Sequence, residues 1–347
     1  VVEEVSLAVD DWVTVGIDNG GTANNGTVFT ANGRFLVDTM AELPSLVREG
    51  PDKAIQALVD SLDMVLAMTG VARGQVMAVG LDTPGPASPT GVLATGGATN
   101  FGHPGWHRFD IRGALEERIG IPVIYNNDGN VAALYAHHVR HGEMSPERSS
   151  VAAIVGTGFG GGVVQDGRIV KGAAGFAGEL GHMPIPMTGI LQPDQPVPSC
   201  NCGLDADAES IASLTGIQRN LLPYWLTQYP EHELATVPVS RGAKLVRSFA
   251  EQGDKMALAL FRQQALAIGH VFSLVAKFTD PHTYFVGGGV IEAAPHFRDW
   301  FLDTVREGTD LYVEQAEVAE ITLVPDLDMA GARGSAIAAA EWARRNL

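Results

Sequence analysis

The sequence predicts an α/β protein of two lobes that repeat one plan, and three observations carry that expectation. The chain has 347 residues, 46% of them apolar, enough to bury a large core and to divide into two lobes. A pattern of strand, glycine turn, strand, hairpin turn and strand fills 13–39 and returns at 150–172, about 140 residues later. Helical and strand periodicities alternate through the remainder.

In the first copy, VTVGIDN ends a strand near Asp18, a Gly-rich turn follows, and Asn32-Gly33 turns a second strand into a third. Ala54, Ile55, Leu58, Leu62, Val65 and Leu66 then recur at helical spacing, while VMAVGLDT and IPVIYNND read as buried strands. In the second copy a strand runs into Gly156-Thr157-Gly158, and Asp166-Gly167 makes the hairpin turn. The Pro-rich stretch at 184–203 is expected to be an irregular excursion at a cleft rim. A helix from about Asp254 to Phe278, the strand HTYFVGGG, another helix, the strand EITLVPD and a terminal helix from near Gly334 complete the chain. The unusual residues sit at strand ends, where open α/β sheets place ligands.

A net charge of −17 excludes a nucleic-acid surface, which needs clustered Lys and Arg. Phosphate would have to be held by backbone amides and a metal ion. Apolar runs are broken by Gly, Asp or Pro short of a membrane span, and the first residues are acidic where a secretory signal is basic, so a soluble, cytoplasmic protein without a membrane partner is expected. Cys200 and Cys202 are too close for a structural disulfide and point toward metal chemistry.

Three constellations carry chemistry. Asp18-Asn19-Gly20-Gly21-Thr22 closes a strand with a turn whose amides can approach phosphate oxygens; on its own it is equally a hairpin turn. The partner loop at 156–162 and the strand-ending Gly287-Gly288-Gly289 shift the balance toward phosphate, and no Walker lysine follows any of them. Asn126-Asn127-Asp128-Gly129-Asn130 ends another strand. Asp128 there is either a base for a substrate hydroxyl or a cap for the helix that starts near Asn130. His182, Cys200, Cys202 and Asp207 are either four ligands of a tetrahedral zinc or a reduced thiol pair beside a satisfied histidine.

Taken together, DNGGT at 18–22, LDTPGPAS at 81–88, NNDGN at 126–130, GTGFGGG at 156–162, GELGH at 178–182, CNCG at 200–203 and VGGG at 286–289 resemble the ROK family (repressor, open reading frame, kinase) of bacterial sugar kinases. The resemblance covers nearly the whole chain. It implies the two-lobed actin-like ATPase fold, a duplicated ribonuclease H-like architecture with a cleft between lobes, divided at 1–126 plus 334–347 and at 127–333. The implied activity is an ATP- and Mg²⁺-dependent kinase for glucose or a similar hexose, with Asp128 as base. The alternatives are another acceptor such as N-acetylmannosamine, an amino sugar or a cyclitol, or a sugar sensor without turnover. The absence of a helix-turn-helix ahead of the first strand disfavours the repressor branch.

The resemblance further assigns sugar contacts to Gly97, Asn100, Asn127, Asp128, Glu179, His182 and Glu209. It places nucleotide at Gly20, Gly21, Thr22, Gly156, Thr157, Gly158, Gly288 and Gly289, and implies a homodimer. A polyol needs a partner for each desolvated hydroxyl, so that polar set suits it. Trp106 is expected in the core.

Two departures matter. Ala23 stands where the family has a Lys, removing a positive charge near the transferring phosphate and leaving polyphosphate open as a donor. Asp207 stands where the third Cys of the zinc motif belongs, and the interval from His182 to Cys200 is long.

Overall fold

The computed structural model describes residues 12–85, 87–94, 100–325 and 329–347. In chain order the first elements are β1 (Val13–Asn19), β2 (Ala23–Thr30), β3 (Glu42–Pro44), α1 (Pro51–Thr69), β4 (Val76–Thr83), α2 (Ile111–Ile119), β5 (Val123–Asn127) and α3 (Asp128–His141). There follow β6 (Ser150–Val155), β7 (Phe159–Gln165), β8 (Arg168–Ile169), α4 (Glu209–Ala212), α5 (Leu214–Gly216), α6 (Leu222–Gln228), α7 (Val239–Glu251) and α8 (Lys255–Phe278). β9 (Thr283–Gly288), α9 (Pro295–Glu307), α10 (Val313–Val318), β10 (Glu320–Leu323) and α11 (Ala330–Asn346) end the chain.

The two sheets are ordered β3-β2-β1-β4-β5 and β10-β9-β6-β7-β8. Each has a central strand paired antiparallel to the strand after it and parallel to a later one: β1 with β2 and β4, β6 with β7 and β9. The predicted duplication is therefore present as repeated topology. Two compact units form, one of Val1–Glu143, Gly167–Ala177 and Pro325–Leu347, the other of Met144–Asp166 and Gly178–Val324.

All six apolar residues read at helical spacing in α1 are buried. Its Pro51 stands in the first turn, where a missing N–H leaves nothing unpaired, and Gly70 closes the helix in the left-handed region. α8 is capped by Asp254, whose side chain accepts from Ala257 N at 2.8 Å. It is the one helix among the described residues long and apolar enough to cross a membrane, and most of it is buried inside the second unit as a core helix.

Three expectations change. The third strand of the first copy is not continuous. Leu36 N–H still donates to Val28 O at 2.9 Å, Asp38, Thr39 and Met40 then loop out exposed, and pairing resumes at β3 opposite Ala23–Asn25. The terminal helix starts at Ala330, ahead of Gly334. Its small residues let it lie against the sheet and α3: a Cβ on Gly16 would stand 1.9 Å from Ala332 O, one on Gly80 1.9 Å from Ser335 O, and one on Gly334 2.0 Å from Val131 O. For the same reason the compact units do not divide at 126/127 and 333/334. α3 packs along α11, where Arg333 Nη1 donates to Tyr135 Oη at 2.8 Å, and so stays with the first unit.

Candidate active site

In the first unit, parallel pairing sets the ends of three neighbouring strands in register: Asp18 of β1 opposite Asp82 of β4, and Asp82 opposite Asn126 of β5. Gly-Ile-Asp-Asn, Gly-Leu-Asp-Thr and Ile-Tyr-Asn-Asn are three versions of one strand ending. That recurrence is the signal by which Asp82 could have been found from sequence, since only Asp18 and Asn126 stood out there.

Asp18 and Asp82 share a hydrogen bond. Asp82 is fully buried, and Ser335 Oγ donates to its Oδ2 at 2.7 Å while Oδ1 has no protein partner. Burial pushes the Asp18 carboxyl up to about 6; the Asp82 bond opposes this, and the charges of Asp128 and Glu42 add to it. Burial and then the Asp18 charge push Asp82 well above the carboxylate range. Two carboxyls this close do not both ionise readily, so the pair retains a proton into mildly acidic solution.

At the end of β5 the alternatives for Asp128 separate. The cap of α3 is Asn127, whose Oδ1 accepts from Asn130 N at 2.9 Å. Asp128 occupies the first helical position with an exposed side chain, its Oδ1 accepting from Gly129 N at 2.7 Å. The protein around it thins its hydration and raises its pKa above the ordinary value, against the opposing pull of that N–H. Beside it, Asn126 is buried with neither polar atom of its side chain partnered. Asn126, Asn127, Asn130, Ser88 and Lys171 line a recess of about 20 Å³, room for one water-sized group. Lys171, a cation not singled out from the sequence, donates from Nζ to Tyr125 O at 2.7 Å.

The turn at Gly20-Gly21-Thr22 is closed by Gly20 N donating to Ala23 O at 2.9 Å. The Asn100 side chain lies against Gly21, and its Oδ1 accepts from the Arg48 guanidinium. Arg48 is a second cation that sequence reasoning passed over, because it lies 26 residues from the turn in a segment without motif character. Gly97 falls outside the described residues. Trp106 is core as expected, with Nε1 donating to Val47 O at 2.7 Å between Phe101 and Phe109.

In the second unit, the loop Gly156-Thr157-Gly158 is anchored by Leu214 N and Thr215 N, which donate to Gly156 O and Thr157 O. Glu209 is tied to the end of this loop, its Oε2 accepting from Phe159 N at 2.8 Å. Gly288 ends β9 at φ +91°, and a Cβ there would stand 1.9 Å from Val155 O, so only glycine fits. Gly156, Thr157, Gly287 and Gly289 line a cavity of about 320 Å³, walled mainly by apolar side chains of α5, α7, α8, α9 and β9. Glu179 leads into a single 3₁₀ turn ending at His182.

His182, Cys200, Cys202 and Asp207 offer one ligand atom each, all within 4.8 Å of one another. His182 Nδ1 is 3.1 Å from Asp207 Oδ2 and 3.9 Å from Cys200 Sγ, and Cys202 Sγ is 3.4 Å from Asp207 Oδ2. Zinc bonds of about 2.0–2.3 Å give tetrahedral edges of roughly 3.3–3.8 Å; the separations of 3.1, 3.4 and 3.9 Å scatter about that range, and one imidazole, two thiols and a carboxylate are ligand types that zinc takes. Nδ1 is the histidine nitrogen turned to the cluster.

The sites expected from sequence thus form two groups. Asn100, Asn127, Asp128 and the Gly20–Thr22 turn belong to the first unit; Glu179, His182, Glu209, the Gly156–Gly158 loop, Gly288 and Gly289 belong to the second.

A glucokinase of Halalkalibacterium halodurans is 31% identical over 315 residues, spanning 88% of this chain and 90% of its own length. An N-acetylmannosamine kinase of Escherichia coli is 29% identical over 286 residues, spanning 80% and 83%. The crystal structure of a ROK hexokinase from Thermus thermophilus superimposes with a TM-score of 0.74 at 29% identity, covering 96% of this chain and 99% of that one. ROK sugar kinases have the actin-like ATPase fold, and the paired sheets described above are its repeated halves. The ROK family model matches residues 14–342, and the chain belongs to that family.

Proposed function

We propose that this chain is a sugar phosphotransferase that moves the γ-phosphoryl group of ATP to a hydroxyl, at position 6, of glucose or a similar hexose. The observation that carries the reading is the separation of roles at the end of β5. Asn127 caps α3, so Asp128 is left with an open carboxylate at a strand terminus. Asp128 accepts the proton of the sugar hydroxyl as that oxygen bonds to the γ-phosphorus; the bond from phosphorus to the β–γ bridging oxygen breaks and ADP leaves.

Asn100 in the first unit, and Glu179, His182 and Glu209 in the second, carry donors and acceptors of the kind that a desolvated polyol requires. In the first unit the turn at Gly20–Thr22, and in the second the loop at Gly156–Gly158, each carry backbone amides of the kind that bind phosphate oxygens. Asp18 and Asp82 are hard oxygen donors of the kind that would hold a magnesium ion, which would supply positive charge to the phosphates. Zinc would be held by His182, Cys200, Cys202 and Asp207, fixing the His182 ring with Nε2 available to the sugar.

The likeness to the Escherichia coli N-acetylmannosamine kinase supports an amino-sugar acceptor as the second reading. A coupled assay of nucleoside diphosphate release across glucose, mannose, N-acetylmannosamine and cyclitols, on wild type and Asp128→Asn, tests both. Turnover on none of these acceptors, or undiminished turnover in the variant, would refute the kinase mechanism.

A further inference from the structure

Two consecutive glutamines of α8, Gln263 and Gln264, are both buried and differ in what they have left to offer. Gln263 is spent on the protein at both ends: Oε1 accepts from Trp225 Nε1 at 2.8 Å, and Nε2 donates to Ile190 O at 2.8 Å. Gln264 donates from Nε2 to Ala212 O. A carbonyl can only accept, so this partner fixes the orientation of the amide without ambiguity. Oε1, an acceptor, and the second Nε2–H remain, on a side chain that lines the 320 Å³ cavity of the second unit.

The rest of that lining is largely apolar and includes Phe261, Phe297 and Phe301, packed edge to face or tilted against one another. Its charged members are Lys244 and Arg247 of α7, and the glycine loop Gly156-Thr157 lines it as well. A cavity with amides and cations in its lining, aromatic walls and one anchored acceptor complements a nucleoside phosphate whose base is flat and carries a donor.

We infer that Gln264 selects the nucleobase of the phosphoryl donor, its Oε1 accepting from the exocyclic 6-amine of adenine. The inference rests on the reading of this cavity as the nucleotide site. Hypoxanthine and guanine present a 6-oxo group, so their nucleotides would set that oxygen against Oε1, two acceptors facing each other in an apolar setting. Purine without a 6-substituent would merely leave Oε1 unpaired.

The test compares initial rates with ATP, purine riboside triphosphate, ITP and 2′-deoxy-ATP for wild type and Gln264→Met, a variant of similar length without the acceptor. Wild type should show kcat/KM about 10-fold lower with purine riboside triphosphate than with ATP, and about 100-fold lower with ITP. In Gln264→Met, ATP should fall to the level of purine riboside triphosphate, so that the two become equal. Equal use of ATP and purine riboside triphosphate by wild type would overturn the inference, as would a preference kept by the variant. A penalty confined to 2′-deoxy-ATP would overturn it too, placing the acceptor on the ribose. If Gln264→Met does not fold, the wild-type series decides alone. Turnover with polyphosphate and with no nucleoside triphosphate would refute the nucleotide reading itself, and this inference with it.

Discussion

Arg48 holds the side chain of Asn100: its Nε donates to Asn100 Oδ1 at 3.0 Å and its Nη2 donates to the same oxygen. Asn100 in turn lies on Gly21, so a fixed cation is tied to the turn expected to meet the terminal phosphates. Ala23 leaves that turn without the lysine usual in the family. Arg48→Gln should therefore raise the KM for ATP by about 10-fold, the scale of one charge-assisted contact, with a smaller effect on the KM for sugar. Ala23→Lys placed on the Arg48→Gln background should restore most of the loss. Steady-state kinetics on the single and double variants check both, and an unchanged ATP KM in Arg48→Gln would remove Arg48 from the phosphate site.

Because Asn127 caps α3 and Asp128 does not, their substitutions should separate. Asn127→Ala removes an N-cap and should lower stability by about 1 kcal/mol, whereas Asn127→Asp keeps an acceptor there and should recover most of it. Asp128→Asn should lower kcat by about 10²–10⁴-fold with a melting temperature close to wild type. Since the surrounding protein, by thinning its hydration, raises the Asp128 pKa, the acid limb of kcat/KM should fall above the ordinary carboxylate range and vanish in the variant. Thermal melts and a pH–rate profile distinguish the two roles.

The shared proton of Asp18 and Asp82 makes stability depend on pH in a stated direction. The Asp18 carboxyl is raised from 3.8 to about 6 in the folded protein, so between these values the folded chain holds a proton that the unfolded chain has released. More protons bound in the native state means that stability falls as pH rises through this window. Asp82→Asn removes a carboxyl and its charge, keeps an acceptor for Ser335, and should flatten the slope. Urea melts from pH 4 to pH 7 measure it; an unaltered slope in the variant would exclude the pair as its source.

Repetition and periodicity made much of this molecule legible before any coordinates. The buried face of α1, the glycine loops and the end of β5 follow from local patterns that a single segment displays. Contacts set by distant packing do not show in that way. Gly16 and Gly80 look like ordinary strand glycines until α11 is seen against them, with Ala332 O and Ser335 O occupying the space of a side chain. Arg48 and Lys171 carry no motif, and their relevance comes from the carbonyl oxygens they reach, Asn100 Oδ1 and Tyr125 O. Asp82 lies between these cases. Its register with Asp18 is readable in the repeated strand endings, but its shared proton depends on complete burial.

Asp207 gives the last prediction, since one carboxylate serves two structures. Its Oδ2 faces His182 Nδ1 and Cys202 Sγ, while its Oδ1 accepts from Ser210 N at 2.8 Å at the start of α4, the helix that carries Glu209. Metal analysis of the purified protein should find one zinc per chain, and Cys202→Ser should reduce its retention under a chelator. Asp207→Asn keeps an acceptor for Ser210 but weakens the ligand, so it should lose zinc while largely keeping its fold; Asp207→Ala should lose both. Loss of the ion should raise the KM for sugar more than that for ATP, because the ring it orients is the His182 imidazole. Wild-type protein without zinc, folded and with an unchanged KM for sugar on zinc addition, would reduce the four residues to a hydrogen-bonded cluster that positions Glu209.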